Sequence, residues 1–197
     1  MIAEAIRRSA LADYAERFTA LYEAASGSIS IRELPFLTQI DLRADPGDQA
    51  LMQRLADGLG FPLPSRPNTA ASLEDRRALW LGPDEWLIVG RDDQVASLKQ
   101  LLRNGLAGAF GSIVDVSANR TVLEIRGARA RGLLAHGVPI DLDLRSFAAN
   151  QCAQTLLAKA QVIIERRGDE AAFHLYVRSS FAGYAAEWLL DAAATAR

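Results

Sequence analysis

The stretch LWLGPDEWLIVG, residues 79–90, decides the fold of this chain. Two short apolar runs flank a Gly-Pro-Asp-Glu segment at residues 82–85. Glycine and proline favour tight turns, whereas tryptophan, isoleucine and valine favour strands. The stretch therefore predicts a β-hairpin, with Asp84 and Glu85 solvated at its tip.

The hairpin belongs to a pattern of elements that occurs twice along the chain. In each half a strand is followed by a helix, two further strands and a second helix, which is the order β-α-β-β-α. The predicted ranges are 36–43, 50–58, 80–90 and 93–103 in the first half, and 121–126, 128–136, 160–167, 172–178 and 181–192 in the second. The predicted fold class is therefore α+β, with two ferredoxin-like halves built as split βαβ units.

Each half needs a fourth strand to complete its unit. Residues 112–116 (SIVDV) supply one in the first half, and we expect the second half to use the linker between the halves or residues 153–158. Gly105 and Gly108 are expected to end the helix that precedes them. Residues 62–72 contain three prolines and no apolar periodicity, so they are expected to form a loop.

The N-terminal region is predicted to form a helix over residues 9–25, with Ser9 as its cap. An apolar stripe runs along this helix at steps of three and four, formed by Leu11, Tyr14, Phe18 and Leu21. The stripe covers either the body of the same chain or a partner, and the sequence leaves both open. The predicted division is 1–30 for the N-terminal helix and lead-in and 31–197 for the main domain, with pseudo-repeat halves at about 31–117 and 118–197.

The composition excludes several classes of function. The 197 residues carry a formal net charge of −2, so no basic field indicates nucleic acid or an anionic membrane as a partner. No apolar run reaches the roughly 20 residues that span a bilayer, and Arg7 and Arg8 are not followed by the apolar segment of a secretion signal. Cys152 is the single cysteine, which excludes an intrachain disulfide and fits a reducing compartment. We expect a cytoplasmic protein.

Neither a nucleophilic site nor a metal site is indicated. The two histidines, His136 and His174, are placed at the end of a helix and inside a strand, where a structural or solvated ring is the expected role. Cys152 precedes an apolar run and is expected to be a buried thiol. One cysteine and two distant histidines do not form a metal site. We therefore predict no catalytic, cofactor-binding or metal-binding residue on this chain.

The glycine-rich and charged segments favour structural interpretations as well. Residues 105–111 follow a predicted helix, and residues 127–132 have two glycines at a spacing unlike that of a dinucleotide-binding turn. Asp169 and Glu170 are expected at a second hairpin tip. Three arginines at one strand–helix junction could bind a carboxylate, but a solvated helix face is the expected role. They are Arg126, Arg129 and Arg131.

Six long strings of the sequence carry a family resemblance. They are RELPFLTQIDLRAD (32–45), LGFPLPSRPNT (59–69), LWLGPDEWLIVG (79–90), VDVSANRTVLEIRGARARGLLAHGVPIDL (114–142), CAQTLLAKAQVII (152–164) and FHLYVRSSFAGYAAEWLLDA (173–192). In this order they resemble the gamma subunit of heterotetrameric sarcosine oxidase. The resemblance covers nearly the whole chain after residue 30.

The resemblance implies a non-catalytic subunit of an oxidoreductase that also contains alpha, beta and delta subunits. Such a complex oxidises the N-methyl group of sarcosine to give glycine and hydrogen peroxide, and the one-carbon unit is passed to tetrahydrofolate or released as formaldehyde. The implied cofactors lie on other subunits: the flavins FAD and FMN on beta, NAD and the folate site on alpha, and zinc on delta. The implied fold is the folate-binding fold of the aminomethyltransferase superfamily, which contains two ferredoxin-like halves.

Two alternatives remain open at this point. A stand-alone folate-binding module related to iron–sulfur cluster maintenance proteins would carry a Lys-Gly-Cys-Tyr motif, whereas Cys152 lies in Asn-Gln-Cys-Ala. An independent aminomethyltransferase would need a positioned acid near folate. Asp115 is the candidate for that acid, although hydrogen bonding to turn amides is its expected role.

Overall fold

A computed structural model describes residues 7–168 and 171–195 of the chain. Within these residues ten strands form two antiparallel sheets of five strands each, accompanied by five α-helices. The strands are β1 (Ser30–Leu34), β2 (Thr38–Ala44), β3 (Ala70–Leu73), β4 (Arg76–Gly82), β5 (Glu85–Gly90), β6 (Gly111–Asp115), β7 (Arg120–Arg126), β8 (Cys152–Leu157), β9 (Ala160–Arg166) and β10 (Ala172–Arg178). The helices are α1 (Ala15–Ala24), α2 (Gln49–Leu59), α3 (Val95–Leu106), α4 (Ala130–Ala135) and α5 (Ala182–Thr195).

The first sheet has the order β3-β4-β5-β2-β6 and contains the hairpin with which the sequence analysis began. Trp80 of β4 lies opposite Trp86 of β5, and an irregularity between Trp80 and Gly82 precedes the turn. The predicted hairpin is therefore confirmed. Trp86 is fully buried beneath α2 and α3, and its Nε1 donates to the Pro64 carbonyl at 2.8 Å. This hydrogen bond satisfies the indole N–H inside an apolar cluster and fixes the chain that leaves α2.

Local signals place the two helices of the first sheet. Asp48 caps α2, because its Oδ1 accepts from the Leu51 N–H at 2.9 Å. The prediction that Gly105 ends α3 is wrong, since α3 continues to Leu106. A Cβ at Gly105 would lie 2.7 Å from Leu55, so the glycine permits close packing of α3 on α2. The loop predicted at residues 62–72 is shorter than expected, because β3 begins at Ala70.

The second sheet has the order β1-β7-β10-β9-β8. Its outer face packs against α1, α4 and α5 in one large apolar cluster. Leu11 and Phe18 from the N-terminal stripe are buried in this cluster, so the stripe covers the body of its own chain. Leu11 occupies the cap position of a short 3₁₀ turn that leads into α1, which makes the proposed Ser9 cap wrong.

The source of the fourth strand in the second sheet differs from the expectation. β1 pairs with β7 along its whole length, with Ser30 opposite Arg126 and Leu34 opposite Val122. Residues 153–158 lie instead in β8, at the opposite edge beside β9. The strand therefore comes from the start of the predicted first half, and it pairs with β7, which lies far from it in sequence. The division into residues 1–30 and 31–197 stays a prediction.

The two sheets pack face to face, so that helices cover only their outer faces. Leu79, Leu87 and Val89 of the first sheet meet Val122 and Ile163 of the second in an apolar cluster that contains no helix residue. We call this contact region the central layer. The α+β class with two ferredoxin-like halves is confirmed, since β6-β2-β5-β4 and β1-β7-β10-β9 run in matching order across the two sheets.

Candidate functional site

His174 lies in β10 with its ring directed into the central layer, and the residue is 4% exposed. Arg77 of β4 donates from Nη1 to the ring Nδ1 at 2.8 Å. A guanidinium can only donate, so Nδ1 accepts and the proton of the neutral ring is on Nε2. Nε2 lies 3.4 Å from Oε2 of Glu124. Both ring nitrogens are therefore occupied by partners within the protein.

Glu165 of β9 lies beside this histidine and is fully buried. Its Oε2 accepts from the hydroxyl of Tyr176 at 2.8 Å and lies 3.7 Å from Nη1 of Arg77. Its Oε1 accepts from Arg167 at 2.9 Å. These contacts join the two sheets through a set of residues that we call the buried charge cluster: Arg77, Glu124, Glu165, His174 and Tyr176.

Burial and pairing set the protonation states in the buried charge cluster. Burial lowers the pKa of His174 to about 4, so the ring is neutral at pH 7. Burial and the charge of Glu165 raise the pKa of Tyr176 well above its ordinary value. Burial would raise the pKa of Glu124, but Arg32, which donates to it at 2.6 Å, keeps that pKa low. The cluster holds fixed charges and fixed protons, which suits a structural link between sheets.

Cys152 is the buried free thiol that the sequence predicted. It lies at the start of β8, and its Sγ is 3.4 Å from the Thr69 carbonyl and 3.6 Å from the Trp80 carbonyl. Burial, together with the negative charge of Glu165, raises the pKa of this thiol to about 12. A thiol that stays protonated is neither a nucleophile nor a metal ligand at neutral pH.

Asp115 ends β6 and closes a turn. Its Oδ1 accepts from the Ser117 backbone N–H at 3.0 Å and from the Ser117 hydroxyl at 2.6 Å. These two hydrogen bonds lower the pKa of the carboxyl. Asp115 also borders a cavity of about 580 Å³. The expected bonding to a turn amide is confirmed.

The three arginines of the strand–helix junction do not converge on one point. Each has its own partner within the chain. The partners are Glu124 for Arg126, at 3.6 Å, the Ala193 carbonyl for Arg129, at 3.4 Å, and Asp143 for Arg131, at 2.6 Å. Gly127 has a φ of +112°, and a Cβ there would lie 2.4 Å from the Ser28 carbonyl oxygen. The glycine is thus needed for chain packing.

The remaining candidates lie at the surface or outside the described residues. Asp84 is exposed at the hairpin tip as predicted, whereas Glu85 is half-buried; Arg43 contacts both, at 3.2 and 2.6 Å. His136 is exposed directly after α4. Asp169 and Glu170 lie outside the described residues. The part of the chain that is described contains no group of three or more histidine, cysteine, aspartate and glutamate residues that could hold a metal ion.

One pair of residues was missed by sequence reasoning. Arg120, the first residue of β7, lies opposite Arg178, the last residue of β10. Both border a cavity of about 330 Å³ at the other end of the second sheet from the buried charge cluster. The available signal was that one predicted strand follows an arginine and another ends in one, but the pairing of these two strands is not visible in the sequence.

Comparison with known proteins places this geometry in a family. A family model described as the sarcosine oxidase, gamma subunit family matches residues 43–195. The chain belongs to this family. It is 35% identical over 188 residues to the sarcosine oxidase subunit gamma of Corynebacterium sp. (strain P-1), covering 95% of this chain and 90% of the relative. It is 36% identical over 168 residues to the corresponding subunit of Arthrobacter sp, covering 85% and 81%.

Solved structures agree with the family assignment and with the predicted fold. A chain of the heterotetrameric sarcosine oxidase from Corynebacterium sp. U-96 has a TM-score of 0.87 and 33% identity, covering 97% of this chain and 96% of that chain. The glycine cleavage system aminomethyltransferase T from Bartonella henselae has a TM-score of 0.64 and 16% identity, covering 83% of this chain and 45% of that chain. The second likeness shows the fold alone, which is the aminomethyltransferase folate-binding-like fold expected above. Among the helices described here, none is long and apolar enough to cross a membrane.

Proposed function

We propose that this chain is the non-catalytic gamma subunit of a cytoplasmic heterotetrameric sarcosine oxidase, assembled with alpha, beta and delta subunits. The observation that carries the proposal is the likeness to a chain of such an oxidase over 97% of this chain and 96% of that chain, at 33% identity. A match of this extent covers both sheets and the helices that pack on them.

In the proposed complex, sarcosine is oxidised at its N-methyl group to give glycine and hydrogen peroxide. The one-carbon unit leaves as formaldehyde or as methylenetetrahydrofolate. FAD, FMN, NAD, the folate and zinc are held by the other subunits in this proposal. The family resemblance supports this assignment of cofactors.

The state of the buried histidine and cysteine in the central layer supports the non-catalytic role. His174 has both ring nitrogens occupied within the chain, and the Cys152 thiol has a pKa of about 12. A general base or a nucleophile must reach its substrate and must have a pKa near the working pH. Neither residue meets both requirements.

Expression of the four subunits, with and without this chain, tests the proposal. The isolated chain is expected to show no flavin absorption and no turnover of sarcosine. An affinity tag on this chain is expected to recover the three partners together with sarcosine oxidase activity. Full turnover by the isolated chain, or an unchanged active complex formed without it, would contradict the proposal.

The alternative of a stand-alone folate-binding module is separated by a second measurement. Calorimetry of the isolated chain with tetrahydrofolate is expected to give no binding. A micromolar dissociation constant, equivalent to roughly −8 kcal/mol, would favour the folate-binding module. The likeness to aminomethyltransferase T does not decide this point, because it is a likeness of fold at 16% identity.

A further inference from the structure

Two arginines face each other at one end of the second sheet. Arg120 of β7 lies directly opposite Arg178 of β10. Each lies two positions from a residue of the central layer, Val122 or Tyr176, and so shares its face; both arginine side chains therefore leave the sheet on the side of the first sheet. Like charges directly opposite one another destabilise a sheet. The sheet itself therefore does not explain why two arginines are paired at this position.

Among the described residues several arginines contact a carboxylate, whereas the guanidinium groups of Arg120 and Arg178 do not. Among the described residues, no carboxylate oxygen lies within 4.0 Å of either one. Arg32 and Arg167, in contrast, donate to Glu124 and Glu165 at 2.6 and 2.9 Å. Arg120 and Arg178 therefore present unused donors.

Two acidic groups of the first sheet attract Arg120, and one of them, Glu85, is bound by another arginine. Asp41 and Glu85 of the first sheet attract Arg120 at longer range. Glu85 is bound by Arg43 at 2.6 Å, and burial and the neighbouring Asp41 raise the pKa of Glu85. Burial and the charge of Arg178 lower the pKa of Arg120, which is the reverse of what a bound carboxylate does.

A cavity gives access to these donors. It has a volume of about 330 Å³ and opens at the rim of the central layer. Its lining residues are Arg120, Gln154, Thr155, Leu156, Gln161, Val162, Ile163 and Arg178. Arg178 and Gln161 are exposed, so a group from outside reaches the pair without any movement of the sheet.

Two exposed apolar side chains, one on the cavity wall and one three residues along the chain from Arg178, indicate a protein as the occupant. Leu156, which lines the cavity, is 40% exposed, and Phe181, three residues after Arg178, is 44% exposed. Arginines next to aromatic and aliphatic side chains are typical of the residues that dominate protein interfaces. A small anion would make no use of the apolar side chains.

We propose that Arg120 and Arg178 bind the carboxylate of an aspartate or glutamate side chain from a partner subunit. A planar carboxylate accepts from both guanidinium groups at once and neutralises their repulsion. The inference rests on the proposed function, because it names the chemistry of one contact in the assembled oxidase.

The test compares the complex formed by the wild-type chain with those of Arg178→Gln and of the double variant Arg120→Gln/Arg178→Gln. The dissociation constant of this chain from the assembled complex is measured by sedimentation at several salt concentrations. Loss of the pair is expected to weaken assembly by about tenfold or more at low salt, and to reduce the salt dependence. Arg131→Gln is the matched control, since Arg131 has its own partner in Asp143 at 2.6 Å; this variant is expected to assemble as the wild type does.

The outcomes separate this inference from the proposed function. If the wild-type chain assembles and both variants assemble within twofold of it, the carboxylate contact is wrong and the subunit role stands. If the wild-type chain does not assemble with the partners, both fail. Denaturation of each isolated variant checks that it is folded. If the double variant does not fold, Arg178→Gln still tests the contact, because Arg178 is exposed and its replacement is not expected to disturb the fold.

A titration of the isolated wild-type chain with glutarate tests the other source of a carboxylate. Tight uptake of glutarate that the double variant loses, with assembly unchanged, would assign the site to a free dicarboxylate and overturn the subunit source. Weak or absent uptake, together with impaired assembly of the variants, supports the partner side chain.

Discussion

The two ends of the central layer hold charged residues of similar types in opposite states. At one end, Arg77 is nearly buried and contacts Glu165 and His174 within the same chain. At the other end, Arg120 and Arg178 lie side by side on a cavity, with no carboxylate within 4.0 Å in the described residues. The presence of an arginine therefore does not indicate its role in this protein. The role depends on whether a carboxylate of the same chain pairs with the guanidinium group.

The difference assigns the two ends to different tasks. The matched end binds one sheet to the other, because Arg77 comes from the first sheet and the other members of the cluster from the second. Removing one partner of a buried ion pair leaves an uncompensated buried charge. This destabilises the fold far more than the loss of an exposed ion pair does. The end with Arg120 and Arg178 does not stabilise the isolated chain. In the proposal above, these two arginines gain a carboxylate partner only when the subunits assemble. Four measurements test this contrast.

Glu165→Ala is expected to give the largest effect. It removes the acceptor of the Tyr176 hydroxyl and the nearest carboxylate of Arg77, both inside the protein. We expect a loss of about 3–5 kcal/mol in the free energy of unfolding, measured by urea denaturation. Glu187→Ala, which removes an exposed ion pair with Arg17, is the control and is expected to have a much smaller effect, because exposed ion pairs contribute little to stability. Equal losses for the two variants would show that the buried charge cluster is not a structural link.

The pH dependence of stability is expected to give the next largest effect. His174 binds a proton near pH 6.5 in the unfolded chain and only near pH 4 in the folded one. Between these values the unfolded chain holds more protons, so stability falls as the pH falls through this window, by about 3 kcal/mol in all.

His174→Gln provides the control for that slope, because a glutamine amide accepts from Arg77 and donates to Glu124 without titrating. Its unfolding free energy is expected to vary much less between about pH 6.5 and about pH 4. A further loss at still lower pH belongs to Glu124, whose pKa lies below its ordinary value, and is expected in both proteins. An unchanged slope in His174→Gln would refute the assignment.

Tyr176→Phe is expected to have an intermediate effect. The hydroxyl donates to the buried carboxylate of Glu165 at 2.8 Å, and a hydrogen bond to a charged group contributes about 2 kcal/mol. Tyr184→Phe is the matched control, since Tyr184 is exposed and, among the described residues, its hydroxyl accepts only from the backbone N–H of Lys159, at 3.3 Å, and not from a charged group. Thermal unfolding of the two variants compares them directly, and a Tyr176→Phe protein as stable as Tyr184→Phe would contradict the prediction.

Arg178→Gln is expected to have the smallest effect on the isolated chain. Removal of one of two opposed positive charges leaves the free energy of unfolding within about 0.5 kcal/mol of the wild type, or raises it slightly. Chemical denaturation of the isolated chain measures this. A loss above about 1 kcal/mol would mean that Arg178 has a partner within the chain, and the contrast between the two ends would disappear.

Elements with a local signal could be predicted from the sequence. The hairpin follows from Gly82 and Pro83 between two β-prone runs, and α2, expected at 50–58, is found at Gln49–Leu59, because turns and helical periodicity depend on neighbouring residues. The pairing of β1 with β7 joins Ser30 to Arg126, and no local pattern specifies such a partner. Gly105 was misinterpreted for a related reason, since its role depends on the distant residue Leu55.

The candidate site shows the same limit. The position of His174 in a strand and the burial of Cys152 were predictable, because alternation and apolar neighbours are local features. The contact of His174 with Arg77 spans 97 positions in sequence and crosses from one sheet to the other. A charged residue in a strand is normally interpreted as solvated, so the sequence gives no sign that Arg77 and Glu165 are enclosed between two sheets.

The position of β1 has a consequence for synthesis of the chain on the ribosome. β1 emerges early, but its partner β7 follows only after all of the strands and helices of the first sheet. The first unit can close while β1 is still an unpaired edge, and an unpaired edge is prone to association with other chains. Nascent copies of this protein are therefore exposed to mispairing until residue 126 has left the exit tunnel.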